Sequence, residues 1–148
     1  MDMEIKELGH VVLYVSNLER SANFYRDTLG FREIVRKPGM AAYSSGRTHH
    51  EMLLIEVGGS PREKHAPEPG LYHIGFKIGD TPEDIQRAYK ELQEKGVPFI
   101  GASDHTVTHS LYILDPDGNE LELYADVSDE WKEHPEAVMA PIRHLDLE

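Results

Sequence analysis

The chain has 148 residues, enough for one domain with a sizeable core, and is 39% hydrophobic and 28% charged, as in an ordinary globular protein. A formal net charge of −12 would repel phosphate backbones and anionic lipid, so no nucleic acid and no membrane surface is expected as a partner. With no cysteine there are no disulfides, no thiolate zinc site and no cysteine nucleophile, whereas nine histidines supply metal ligands and proton carriers. No apolar run is long enough to span a bilayer and residues 1–7 are too acidic for a signal or transit peptide, so a cytoplasmic protein is expected.

Residues 8–15, LGHVVLYV, alternate as a strand with Val11, Leu13 and Val15 on one face and His10, Val12 and Tyr14 on the other. Ser16-Asn17-Leu18-Glu19 has the form of a capping box, and Leu18, Ala22, Tyr25 and Leu29 recur at helical spacing as far as Gly30. Residues 31–36, 40–45 and 51–57 read as three strands, separated by Lys37-Pro38-Gly39 and Gly46-Arg47-Thr48. The Pro- and Gly-rich segment 58–70 reads as a surface linker. The pattern then restarts. LYHIGFKI again carries a histidine third, with Ile74, Phe76 and Ile78 on the packing face and His73 opposite. Thr81-Pro82 opens a helix striped by Ile85, Ala88, Tyr89 and Leu92 and ended by Gly96. Strands follow at 98–102, 109–114 and 120–125, the last two joined by the turn Asp115-Pro116-Asp117-Gly118-Asn119.

The fold class is therefore α+β: one domain of two βαβββ modules, at about 5–58 and 71–126, with a linker at 59–70 and a tail at 127–148. A sheet covered by a helix on one face leaves the other free, and His10, His73 and Glu122 all point to the free face by parity. If the two sheets curl and join, the three converge in one cavity with the helices outside. Two histidines and a carboxylate with open positions form the ligand set of non-haem Fe(II) oxygen chemistry.

The segments GHVVLYVSNLERSANFYRDTLGF, YHIGFKI and LYILDPDGNELELY resemble the vicinal oxygen chelate superfamily, which includes glyoxalase I, extradiol ring-cleaving dioxygenases and bleomycin-resistance proteins. The resemblance spans nearly the whole chain and implies paired βαβββ modules forming an open, incomplete β-barrel around a metal cavity. Carried over residue by residue, the metal positions of the extradiol dioxygenases fall on His10, His73 and Glu122. Thr48-His49-His50-Glu51 resembles the segment of their second-sphere histidine, matching His50. Residues 104–112 are similar to the signature that sets a histidine and a tyrosine beside the iron, matching His105 and Tyr112, although Ser103 departs from it. The resemblance thus implies a dioxygenase that cleaves a small aromatic substrate, a catechol, with O2 in aromatic catabolism. It further implies Fe(II) as cofactor, with Mn(II) able to use the same ligands, and a homodimer by analogy. The tail from Trp131 to PIRHLDLE also looks like that of single-domain catechol 2,3-dioxygenase-like proteins.

Two rival readings stand beside this one. In a glyoxalase I-like lyase or isomerase, Glu56 would join His10, His73 and Glu122 as fourth ligand to Zn(II) or Ni(II). A metal-free resistance protein would sequester an aromatic drug without needing the triad. Phe24, Met52, Phe99 and Trp131 are expected to contribute cavity walls, His49 and His109 to be bystanders, and His65, His134 and His144 to lie on the surface.

Overall fold

The computed structural model describes residues 2–63 and 67–148, so the expectation for His65 lies outside the described residues. The chain divides into two compact units, Met1–Arg62 and Glu63–Glu148. In the first, β1 (Val11–Val15) runs into α1 (Leu18–Asn23), and β2 (Arg32–Lys37), β3 (Met40–Ser44) and β4 (Met52–Glu56) follow. Their order in the sheet is β1-β4-β3-β2, with β1 parallel to β4 and the other pairs antiparallel. The helical crossover makes that parallel pair possible, since parallel strands cannot be joined by a tight turn.

The second unit repeats the plan with β5 (His73–Gly79), α2 (Pro82–Glu94), β6 (Phe99–Asp104), β7 (Thr108–Leu114) and β8 (Glu120–Asp126). Its order is β5-β8-β7-β6-β9, with β5 parallel to β8. The fifth strand, β9 (Arg143–His144), comes from the tail and pairs with β6, an addition that the sequence pattern did not announce. The fold is mixed α+β, with two separate sheets and no closed barrel among the described residues.

Burial follows the alternation. Leu13 and Val15 are buried, as are Leu18, Ala22, Tyr25 and Leu54, while Val12 and Tyr14 are exposed on the free face. In the second unit Ile74, Ile85, Leu92, Leu111, Ile113, Leu121 and Leu123 are buried, each leucine or isoleucine adding about 1.5–3 kcal/mol of apolar burial. The turn between β7 and β8 is fixed by the buried Asp115 carboxylate, which accepts from the Asp117 and Asn119 amides at 2.9 Å each, while Gly118 takes φ +85°.

Four local expectations are corrected. The α1 cap is Asn17, whose Oδ1 accepts from the Arg20 amide at 2.9 Å; Ser16 Oγ takes the Arg20 guanidinium, and Glu19 pairs with Arg36 in place of closing a capping box. The helix then widens into a π-helical turn, Phe24–Thr28, in which the Leu29 amide bonds to the Phe24 carbonyl. The first strand starts at Val11, so His10 precedes it. Ile78 is 38% exposed, because a register shift between Lys77 and Gly79 turns it out of the packing face.

Candidate functional site

Strand β8 alternates buried Leu121, Leu123 and Ala125 with half-buried Glu120, Glu122 and Tyr124, and this sets Glu122 mid-strand on the free face. A carboxylate there needs partners. Glu122 Oε1 accepts from Ser110 Oγ at 2.6 Å and from the Tyr112 hydroxyl at 3.2 Å, and its Oε2 lies 3.0 Å from His73 Nε2. Tyr112 stands directly across the β7–β8 ladder from Glu122, and His73 comes from the neighbouring β5. The His105 ring, in the turn after β6, brings Nε2 to 2.8 Å from the Tyr112 hydroxyl and 4.0 Å from Glu122 Oε1. Four of the expected site residues thus form one chain: His105, Tyr112, Glu122, His73.

Burial, and then the charge of Glu122, push the Tyr112 phenol above its ordinary value, while hydrogen bonds from Ser103 and Ser110 act in the opposite sense. The phenol keeps its one proton at neutral pH. With that proton donated in the hydrogen bond to Glu122 Oε1, the phenol oxygen is left to accept from His105 Nε2.

Beside this chain lies a residue to which the sequence analysis gave no role. Glu120 pairs with His73 in the β5–β8 register and brings Oε2 to 3.5 Å from His73 Nδ1. The Tyr72 ring packs against His73 at 4.5 Å, and the Glu120 charge pushes the Tyr72 phenol up. The signal for Glu120 was its parity with Glu122. Ser110 gave none, because a buried serine on a strand reads as core.

The first unit gathers His10, His49 and His50. The His50 ring lies 4.5 Å from those of His10 and His49, and the two Nδ1 atoms of His49 and His50 are 2.6 Å apart. Desolvation first, then the imidazoles of His49 and His10, hold His50 below its ordinary value. His49, expected to be a bystander, is therefore part of the cluster.

A family model described as "Glyoxalase/Bleomycin resistance protein/Dioxygenase superfamily" matches residues 7–123. The chain belongs to this superfamily. A catechol-2,3-dioxygenase from Bacillus subtilis (strain 168) is 35% identical over 126 residues, 83% of this chain and 42% of that protein, so the chain spans well under half of the relative. A metallothiol transferase FosB from Staphylococcus haemolyticus (strain JCSC1435) is 32% identical over 122 residues, 81% of this chain and 84% of that one. The fold is also that of a lactoylglutathione lyase from Agrobacterium tumefaciens, at TM-score 0.62 and 22% identity, over 83% of this chain and 96% of the other.

Within the superfamily domain, His73 and Glu122 fit a divalent ion. Two donors each about 2.1 Å from an ion and at right angles to one another are about 3.0 Å apart, and a nitrogen with a carboxylate oxygen suits such ions. The observed 3.0 Å matches that separation, and it is equally the distance of a hydrogen bond between the imidazole and the carboxylate. No three His, Asp or Glu side chains among the described residues stand grouped for a metal, and His10 belongs to the other unit.

Glu56 is differently engaged. It pairs with Val15 in register, on the helix side of the sheet with Leu54, and its Oε2 accepts from the Leu18 amide at 2.7 Å, capping α1. Two expected cavity walls are also corrected: Met52 is 1% exposed on that same helix side, and Phe99 packs on Tyr89 of α2 at 4.8 Å. Phe24 packs edge-on to Tyr25 at 5.2 Å, and Trp131, 42% exposed, lines a surface groove with Lys77 and Asp126. His134 and His144 are exposed, and His109 is half-buried with Nε2 3.8 Å from Asp104 Oδ1.

Proposed function

We propose that the chain is an extradiol-type dioxygenase that cleaves a catechol-type aromatic with O2. In this reading His73 and Glu122 hold a divalent metal, Fe(II) in the first instance, with His10 as the third donor that the resemblance implies. The observation that carries it is the hydrogen-bonded chain from His105 through Tyr112 to Glu122, which sets a proton-handling imidazole and a neutral phenol beside the donor pair. The dioxygenase relative supports the same reading.

Bound Fe(II) would supply Lewis acidity toward the catechol oxygens and redox chemistry toward O2. The remaining tasks fall to side chains. His50, whose pKa its surroundings lower, is the residue to which the resemblance assigns acceptance of a phenolic proton. His105 holds the other transferable proton at Nε2, and Tyr112, kept protonated by burial, donates a hydrogen bond to a substrate oxygen. Ser110 Oγ holds the rotamer of Glu122, while Tyr112 turns its one proton from Glu122 Oε1 to the substrate, leaving Oε2 for the metal.

A second reading draws on length, since the chain spans 84% of the metallothiol transferase relative. It uses the same donors for metal-assisted attack by a thiol. The glyoxalase-type reading is weakened by the engagement of Glu56 with α1.

The test is anaerobic loading with Fe(II), followed by a catechol panel and air, reading the yellow ring-opened product by absorbance. Product that depends on iron, O2, His73 and Glu122 is expected. No product, together with metal-dependent consumption of a thiol co-substrate, would replace the first reading by the second. Failure to retain any metal would favour the metal-free binding protein.

A further inference from the structure

Thr106 is the only residue other than glycine with positive φ, at 73°, among the described residues. A β-branched residue rarely adopts that conformation, which persists only where the surroundings over-determine it. Here they do. The Thr106 amide donates to Asp104 Oδ1 at 2.8 Å, the His105 amide to the Thr108 carbonyl at 2.8 Å, and the Val107 amide to the His105 carbonyl at 2.9 Å. The second oxygen of Asp104 accepts from Arg143 Nη2 at 2.9 Å, and Arg143 is the register partner of Asp104 in the β6–β9 pairing. One carboxylate therefore ties the strained turn to the tail.

The turn carries His105, whose Nε2 lies 2.8 Å from the Tyr112 hydroxyl. We propose that Asp104 and Arg143 are a positioning pair: gripped by the tail strand, Asp104 holds the 104–108 turn in its left-handed conformation and so aims the His105 imidazole at Tyr112. The functional side of this inference rests on the dioxygenase reading, in which His105 and Tyr112 handle protons. The structural side stands apart from it. The Arg143 side chain is 68% exposed, and an ion pair so open to water adds little to global stability. Its effect is local, on the alignment of one ring.

The experiment compares wild type, Arg143→Ala, Arg143→Lys and Asp104→Asn in the full chain. Two readouts are taken on metal-free protein: amide hydrogen exchange at 105–108, and the ring nitrogen signal of His105 in histidine-labelled protein. A third is the kcat and KM split on iron-loaded protein. Arg143→Ala is expected to speed exchange in the turn and shift the His105 ring signal while moving Tm by less than about 4 °C. Arg143→Lys should restore part of both. With a catechol turned over, kcat should fall by on the order of 10²-fold at unchanged KM, the size of effect that a ring displaced by about 1 Å produces. Unchanged exchange, or faster exchange with an unmoved His105 signal, overturns the proposal. A wild type that turns over no catechol sinks the dioxygenase reading alone, since exchange and the ring signal still decide whether the pair aims His105. If Asp104→Asn fails to fold, the two variants at exposed Arg143 carry the test.

Discussion

The two βαβββ units share strand order, a parallel pairing of first and fourth strands, and the same alternation of buried and free faces. Apart from the fifth strand and the register shift at Lys77–Gly79 in the second sheet, one register step sets them apart at the site. In the second unit Gly75 pairs with Glu122; in the first the corresponding pair is Val12 with Leu53. The second sheet thereby presents a carboxylate ringed by Ser110, Tyr112 and His73, and the first presents aliphatic side chains beside three imidazoles. A repeated topology supplies a repeated frame. The side chain at one frame position, with the neighbours that make it tolerable, decides whether the frame carries a carboxylate, the proposed metal donor.

The sharpest way to break this contrast is to make the second unit like the first. Glu122→Leu should abolish metal retention after dialysis and leave the buried Ser110 hydroxyl without its acceptor, a loss of about 1–3 kcal/mol in urea unfolding. Retained metal would separate Glu122 from the site. The next largest effect concerns packing. Leu121→Ala, at a fully buried position, should cost about 2–5 kcal/mol, and Leu53→Ala, at a half-buried one, distinctly less. Equal losses would mean that the free face of the first unit is as well packed as the core of the second.

Smaller effects separate framework from chemistry. Glu56→Ala removes the acceptor of the Leu18 amide and should lower stability by about 0.5–2 kcal/mol without altering metal affinity. A loss of metal affinity well beyond the roughly 10–100-fold that a supporting partner accounts for would revive Glu56 as a donor. The smallest effect is pH-linked. Hydrogen bonds from Arg36, at 2.7 and 2.9 Å, hold the Glu33 carboxyl below its ordinary value. Its contribution, under about 1 kcal/mol for such a surface pair, is full above the unfolded-state value near 4.3 and fades as pH falls through the depressed one. Glu33→Gln should therefore be less stable than wild type at neutrality and converge with it in acid.

The pattern of elements was legible because each obeys a local rule: Leu121 and Leu123 alternate with Glu120 and Glu122, Thr81 with Pro82 opens α2, and Gly96 with φ +70° closes it. The grouping of His73, Glu122, His105 and Tyr112 was legible through parity and resemblance together. What escaped depends on contacts distant in sequence. Arg143 sits in a tail with no periodicity, and only its partner Asp104 makes a strand of it. Glu56 looked like a fourth ligand from its identity, but its register with Val15 turns it toward α1. The π-helical turn at 24–28 leaves the same apolar spacing as an α-helix, so periodicity cannot separate them.

The parallel pairing of β5 with β8 also bears on how the protein acquires its chemistry. His73 and Glu122 meet across about fifty residues of chain, through the least local strand pairing of their unit, and non-local pairings pay the loop-closure entropy late. The proposed donor pair therefore exists only in molecules whose second sheet is complete. An ion that binds this pair and not the unfolded chain pulls the folding equilibrium toward completion by mass action, so the metal would serve the domain as a folding ligand before it serves any substrate.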